Sequence, residues 1–153
     1  MVDPLGTESK FGADAHNAHP QPDGTYHYPG NPNAMFDDNP GAAGSQVIGF
    51  AADGFPIYST YFLDSGTNTV RKAVSGFTSK TGSRGTESNT NPGGTYDGTY
   101  IDDYEYTNAG DLDACHGMTV SGQYGYYVTD SYPWVMGCIS GTADSSFSKN
   151  QIS

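Results

Sequence analysis

Residues 95–107 read TYDGTYIDDYEYT and carry the clearest strand pattern of the chain. Asp97-Gly98 is typical of a tight hairpin turn, because Gly tolerates the positive φ that such turns require. The residues after this turn alternate with the two-residue period of a strand. One face of that strand would carry Tyr100, Tyr104 and Tyr106 with Asp102 among them, and the other face Ile101, Asp103 and Glu105.

Further short strands are predicted on both sides of this stretch. Two apolar runs, QVIGF and FPIYSTYF, flank the turn signal Asp53-Gly54. The stretch from Thr78 to Gly94 has few apolar residues and is predicted to be a long surface loop. Together these patterns predict a mostly β fold, a single compact domain of antiparallel strands with long Gly/Ser/Thr-rich loops. The other predicted elements are a short helix or strand at Val70–Val74 and two strands at Tyr124–Thr129 and Trp134–Ile139, joined by a turn at 130–133.

The composition supports this fold and excludes several functions. The 153 residues are enough for one domain, and they contain 20 aromatic residues but only 15 Leu, Ile and Val. Tyr must therefore supply much of the core. With six Lys and Arg and a net charge of −11, the chain would repel phosphates, which argues against nucleic acid as a partner. No apolar run approaches the ~20 residues of a membrane span, so we expect no membrane insertion.

Two segments of the chain resemble each other. Asp14-Ala15-His16 aligns with Asp113-Ala114-Cys115, and after a Gly and one further residue each segment continues with Tyr-x-Tyr, at 26–28 and 124–126. The alignment needs a one-residue gap. It indicates either an internal repeat of one supersecondary unit or merely the form that hairpins take in a Tyr-rich protein.

Five blocks of sequence, taken in order, resemble the YHYH protein family. They are NAHPQPDGTYHY (17–28), which resembles the namesake motif, AADGFPIYS (51–59), PGGTYDGTYIDDYEY (92–106), DLDACHG (111–117) and YVTDSYPWVMGC (127–138). The resemblance implies a secreted or surface-associated protein. Pro29 stands where the family has its second motif His, and the part before Asp14 is shorter than the upstream β-segment of such proteins. We therefore expect an N-terminal arm or a remnant of an upstream segment at 1–10, the β domain at 11–141 and a polar tail at 142–153.

Cys115 and Cys138 are the two cysteines of the chain. Two Cys in an acidic, Gly/Ser/Thr-rich chain indicate a disulfide formed in an oxidising compartment, and the matching family blocks carry Cys at both places. Two alternatives are buried free thiols and a two-Cys metal site with His116. A third is a Cys115 thiolate activated by His116.

Three of the four His lie within residues 16–27. A hairpin centred on Asp23 would place His19 opposite His27, and directly opposed residues have Cβ atoms ~4.5–5.5 Å apart. That separation suits a shared Cu, Zn or Ni ion, to which His16 or Asp14 could add a ligand. The alternative is that these imidazoles pack against Tyr rings and donate to backbone carbonyls.

Pairs of Asp could supply oxygen ligands to Ca²⁺. The alternative is that they are solvated charges that keep strand edges from aggregating. The candidates are Asp37-Asp38, Asp102-Asp103, Asp111 and Asp113.

Neither a Ser-His-acid set nor a phosphate-binding loop or dinucleotide motif is recognisable in the sequence. We therefore expect a non-enzymatic extracellular or cell-surface module with a structural or binding role, which associates with itself or with a surface protein. Tyr-rich faces suit such half-wet interfaces. The runner-up is a divalent-metal protein that uses His16, His19, His27 and Asp14 with Cu, Zn or Ca, and a weaker third interpretation is an enzyme with a metal-activated water.

Overall fold

The computed structural model describes Asp14, Ala15, residues 18–20, Gly24, residues 26–28 and residues 40–147. These residues form short strands and two 3-10 helices, Ile101–Asp103 and Ser145–Phe147, and they confirm the predicted strand-rich fold. The strands are β1 (His19–Pro20), β2 (Tyr26–His27), β3 (Val47–Phe50), β4 (Pro56–Tyr58), β5 (Tyr61–Asp64), β6 (Thr69–Lys72), β7 (Phe77–Ser79), β8 (Tyr104–Tyr106), β9 (Gly117–Val120) and β10 (Gln123–Tyr127).

The largest sheet has four strands in the order β3-β4-β10-β9. The turn at Asp53-Gly54 joins β3 to β4 antiparallel, as predicted, and β9 and β10 form a second antiparallel hairpin. The two hairpins meet along β4 and β10, which run parallel with Ile57 opposite Tyr126. The remaining sheets are the antiparallel pairs β1–β2, β5–β6 and β7–β8.

Tyrosine supplies much of the core, as the composition predicts. Tyr127 of β10 is buried together with Phe62 and Leu112, and its ring stacks on Tyr58 with centroids 5.0 Å apart. Burial raises the pKa of the Tyr127 phenol to about 12, with a further contribution from Tyr58. The hairpin β5–β6 packs on this side of the four-stranded sheet through Phe62 and Ala73.

The two similar segments fold alike. Asp14 and Asp113 each exchange hydrogen bonds with the residue four positions later: Asp14 N donates to Ala18 O at 3.0 Å, and Asp113 N donates to Gly117 O at 2.8 Å. In return, each carboxylate accepts the N–H of that later residue, at 3.1 and 2.9 Å. A hairpin follows in both cases, β1–β2 and β9–β10, with a positive-φ Gly before its second strand. This agreement supports an internal repeat of an Asp-closed turn followed by a hairpin.

Three local predictions were wrong. Residues 101–103 form a 3-10 helix, so the strand expected after Asp97-Gly98 is confined to β8. Its partner is β7, which occupies the start of the predicted loop at 78–94. Trp134–Ile139 forms no strand, since Trp134 has a φ of 65° and its backbone N–H donates to Ser131 O in a tight turn.

Candidate functional site

A cleft of about 470 Å³ opens between the loop at 80–92 and the segment at 96–103. This volume lies within the range of small-ligand sites, ~300–1,000 Å³. Polar and aromatic side chains predominate among its lining residues, which are Lys80, Arg84, Ser88, Asn89, Thr90, Asn91, Pro92, Tyr96, Tyr100, Asp102 and Asp103.

An ion pair between Arg84 and Asp103 lies among the residues that line the cleft. Arg84 Nε and a terminal nitrogen donate to the two carboxylate oxygens of Asp103 at 2.8 and 2.6 Å, and that terminal nitrogen also contacts Asp97 at 2.6 Å. Asp103 is fully buried and also accepts the backbone N–H groups of Gly98 and Tyr100. Arg84, together with the backbone N–H groups of Tyr100 and Asp97, holds the pKa of Asp103 well below its usual range, in spite of its burial. The pair is therefore a fixed support for the cleft rather than a titrating group.

The loop that forms the other wall is held by its own hydrogen bonds. Asn91 donates from its side-chain amide to Arg84 O at 2.6 Å and accepts the N–H of Gly93 at 2.9 Å. Arg84 N donates to Gly94 O at 2.9 Å, and the Arg84 guanidinium donates to Gly93 O at 2.9 Å. Gly93 has a φ of 68° and packs closely on Glu87. The loop wall thus has a defined shape despite its polar sequence.

Two Tyr rings and one ammonium group line the cleft. The Arg84 guanidinium lies 4.8 Å from the ring centre of Tyr100 and 5.7 Å from that of Tyr96. Lys80 Nζ lies 5.6 Å from the Tyr96 ring and donates to Asp102 O at 2.9 Å. Within the part of the chain that the structure describes, neither the Tyr96 hydroxyl nor the Asn89 amide has a hydrogen-bond partner. These groups are available to a ligand.

The hairpin predicted around Asp23 forms with the predicted register. His19 of β1 pairs directly with His27 of β2, and Gly24 between them has a φ of 85°. Asp14 accepts the Ala18 N–H at 3.1 Å and lies in the turn before β1. His16 and the side chain of His27 lie outside the described residues, and within those residues no three His, Cys, Asp or Glu side chains are grouped as metal ligands. The metal assignment to His16, His19, His27 and Asp14 stays a prediction.

Cys115 and Cys138 form the predicted disulfide, with Cα atoms 4.8 Å apart. This bond excludes the three alternatives that need a free thiol, namely two buried free thiols, the two-Cys metal site and the thiolate activated by His116. His116 is instead fully buried, with Nε2 2.8 Å from the Thr129 hydroxyl oxygen. Thr129 donates its single hydroxyl proton to Ser131 O, so His116 must donate from Nε2. Burial lowers the pKa of His116 to about 4, against the opposing effect of Asp113, and the imidazole is neutral at pH 7.

Three of the carboxylates considered for Ca²⁺ are engaged elsewhere, and Asp102 lines the cleft. Asp111 accepts two hydrogen bonds from the Arg71 guanidinium, at 2.7 and 2.8 Å, and Asp113 accepts the Tyr124 hydroxyl at 2.7 Å. Asp103 is held by Arg84. Asp37 and Asp38 lie outside the described residues.

Sequence reasoning missed Lys80 and Arg84. A pair of basic residues in a polar loop matches no motif. The one available signal was their scarcity, because the chain has only six Lys and Arg and two of them lie four positions apart before the Tyr-rich block at 95–107.

The fold and the cleft define a strand-rich, disulfide-closed domain with a polar, Tyr-lined cleft. The family model for YHYH protein matches residues 1–141, and the chain belongs to this family. No curated protein and no solved structure matched the chain. Among the residues that the structure describes, no helix is both long and apolar enough to cross a membrane.

Proposed function

We propose that this chain is a non-enzymatic extracellular binding module whose cleft at 80–103 takes a hydroxyl-rich ligand, namely a saccharide. The observation that carries the proposal is the placement of the Tyr96 and Tyr100 rings beside Lys80 and an unengaged Asn89 amide. An aromatic ring packs against the C–H face of a sugar, while amide and ammonium groups bond to its hydroxyls.

The charges of the cleft favour such a ligand over a strongly ionic one. Arg84 is neutralised by Asp103 and Asp97, whereas the ammonium group of Lys80 bonds to a backbone carbonyl and keeps further N–H donors. A hydroxyl-rich ligand needs donors and acceptors in about equal number, and the cleft offers both in Lys80, Asn89 and Asp102. The support for an extracellular location is the disulfide, which persists in oxidising compartments.

Glycan-array screening followed by calorimetry with the best-bound saccharide tests the proposal. We expect Tyr96→Ala to weaken that binding about tenfold or more, as removal of a central aromatic contact does. The matched control is Tyr61→Ala. The Tyr61 ring lies 5.5 Å from the Lys72 ammonium group outside the cleft, and the Tyr96 ring lies at a similar distance, 5.6 Å, from the Lys80 ammonium group within it. Binding to no glycan, or equal losses in the two variants, would refute the proposal.

We also propose that the module associates with itself. The support is β3, which is an edge strand among the described residues and leaves Val47 exposed by 45%. Exposed edge strands pair readily with further strands, while a charge of −11 on each copy opposes association. Light scattering should therefore show association that strengthens with salt and that is abolished by Val47→Lys. A monomer at every salt concentration would contradict it.

The second candidate function is divalent-metal binding, and the His19–His27 register favours it. Zn²⁺ or Cu²⁺ should bind at pH 7.5 and bind less tightly as pH falls through ~6.5, because an imidazole must be neutral to coordinate. A His19→Ala, His27→Ala double variant should lose this binding, and His16→Ala should reduce it if His16 adds a ligand. Unchanged metal occupancy in the double variant would exclude this assignment.

A further inference from the structure

A second hollow, of about 420 Å³, lies on the surface between the β3–β4 turn and the segment at 141–147. It is separate from the saccharide cleft and shares no residue with it. Two aromatic rings and two carboxylates stand out among its lining residues, which are Phe50, Ala51, Ala52, Asp53, Gly54, Thr142, Asp144 and Phe147.

Hydrogen bonds hold the two walls of the hollow together. Gly141 N donates to the Asp53 carboxylate at 3.0 Å, and Asp144 N donates to Ala52 O at 2.8 Å. Asp144 also accepts the Ser146 N–H at 2.9 Å, which caps the 3-10 helix that carries Phe147. The hollow is therefore built by the fold.

The exposed rings of Phe50 and Phe147 leave apolar surface that a bound group could cover. Phe50 and Phe147 are exposed by 69% and 62%, although each ring could bury a large apolar area. Within the described part of the chain, no Lys or Arg lines the hollow. Desolvation raises the pKa of Asp53, but hydrogen bonds from Tyr126, Gly141 and Phe55 outweigh it and lower this pKa. Hydrogen bonds from Ser146 lower the pKa of Asp144. Both carboxylates are therefore charged at neutral pH. The hollow thus combines negative charge with two exposed aromatic rings.

We propose that this hollow binds an organic ammonium group. The π faces of aromatic rings attract cations, and aromatic cages recognise quaternary ammonium in this way. A small hydrated metal ion would have to shed its water against two apolar rings, whereas an alkylammonium group presents apolar C–H groups to the rings and its charge to Asp53 and Asp144. The group could come from a free choline-type molecule or from a lysine side chain.

Titration of the ¹⁵N-labelled chain with choline, followed by amide NMR, tests this site. We expect shifts centred on Gly54, Thr142 and Phe147, with a dissociation constant on the order of 1 mM. The decisive control is 3,3-dimethyl-1-butanol, which replaces the charged nitrogen of choline by carbon at nearly the same shape. It should bind at least about fivefold more weakly. Equal binding of the two compounds, or choline shifts away from these residues, would overturn the proposal.

Variants and a second titrant define the site further. Phe50→Leu and Phe147→Leu keep an apolar side chain but remove the ring, and each should weaken choline binding about fivefold. Asp144→Asn keeps the helix cap and should also weaken choline binding. Val74→Ala, at an exposed position outside the hollow, should leave choline binding unchanged. Nα-acetyl-lysine amide distinguishes the sources: tighter binding than choline indicates a lysine side chain, and weaker binding a quaternary ammonium. Unchanged choline affinity in both Phe variants would also overturn the proposal.

Discussion

The Arg84 guanidinium donates to both carboxylate oxygens of Asp103, nineteen residues away in the sequence, at 2.8 and 2.6 Å. Asp103 is fully buried and the Arg84 side chain is only 9% exposed. The same carboxylate accepts the backbone N–H groups of Asp97, Gly98 and Tyr100. Asp103 therefore connects the Tyr-rich segment to the loop that carries Arg84. The Arg84–Asp103 ion pair thus joins the two walls of the cleft.

Removing the charge of Arg84 should destabilise the fold strongly. Arg84→Met keeps most of the side-chain volume but leaves the buried Asp103 carboxylate unpaired, and such a loss costs about 3–5 kcal/mol. Urea unfolding measures it. Arg84→Lys keeps the positive charge but cannot donate to both carboxylate oxygens of Asp103 in the same way. It should therefore lower the free energy of unfolding by less than Arg84→Met does. A loss below about 1 kcal/mol in Arg84→Met would contradict the structural role of the pair.

His116 should make stability fall between pH 6.5 and about 4. Its pKa is lowered from 6.5 to about 4 by burial, so over this interval the unfolded chain takes up a proton that the folded chain does not. Stability from the neutral imidazole is complete above pH 6.5 and declines as pH falls, by at most about 3 kcal/mol in total. Urea unfolding at pH 7.5, 5.5 and 4.5 measures how the free energy of unfolding changes with pH.

The variant His116→Asn separates this effect from other titrations. Asn tolerates the φ of 72° at this position and does not titrate. It should be less stable than the natural chain at pH 7.5, but the difference should shrink as pH falls toward 4. A difference that stays constant with pH would show that His116 does not cause the slope.

Local signals in the sequence predicted much of the fold. The turn signal in the sequence at Pro22-Asp23-Gly24 predicted the His19–His27 register, and the signal at Asp53-Gly54 predicted the β3–β4 turn, because a hairpin register follows from the position of its turn. The disulfide was predicted from two cysteines and their context. These features depend on neighbouring residues or on one covalent bond.

Features that depend on distant partners were not predicted. The 3-10 helix at 101–103 replaces an expected strand because the Asp103 carboxylate binds Arg84 and nearby backbone N–H groups, which an extended chain could not bring together. The parallel contact of β4 with β10 has no local signal, since parallel pairing joins residues far apart in the chain. The cleft was missed for the same reason, because its walls come from two segments joined by that ion pair.

Loss of the disulfide should lower stability without changing the fold. Cys115 and Cys138 close a loop with a separation of 23 residues, and such a loop contributes about 3 kcal/mol in the chain-entropy model. A Cys115→Ser, Cys138→Ser double variant should unfold at lower urea concentration while retaining the circular dichroism spectrum of the natural chain. Mass spectrometry of unreduced peptides should show the linked pair. Two alkylatable thiols in the natural protein would contradict the structure.

Tyr126 should be more important for stability than its neighbour Tyr124. Tyr126 is fully buried in β10; its hydroxyl donates to Asp53 at 2.5 Å and accepts the Ser140 N–H at 2.7 Å, so it connects the β3–β4 turn to the chain after the disulfide. Tyr126→Phe leaves the Ser140 N–H without this acceptor and removes one donor to Asp53, which keeps the N–H groups of Gly141 and Phe55. We expect a cost of about 1–3 kcal/mol.

Tyr124→Phe is the matched control for Tyr126→Phe. The Tyr124 hydroxyl donates to Asp113 at 2.7 Å and contacts Ser140 at 2.6 Å, but Tyr124 is only partly buried and Ser140 is exposed, so water can replace part of what is lost. Urea unfolding should therefore show the larger loss for Tyr126→Phe. That variant should also exchange the amide protons of Ser140 and Gly141 faster, because the Asp53–Tyr126 contact holds this segment. Equal losses in the two variants, with unchanged exchange at Ser140, would show that Tyr126 contributes only its ring.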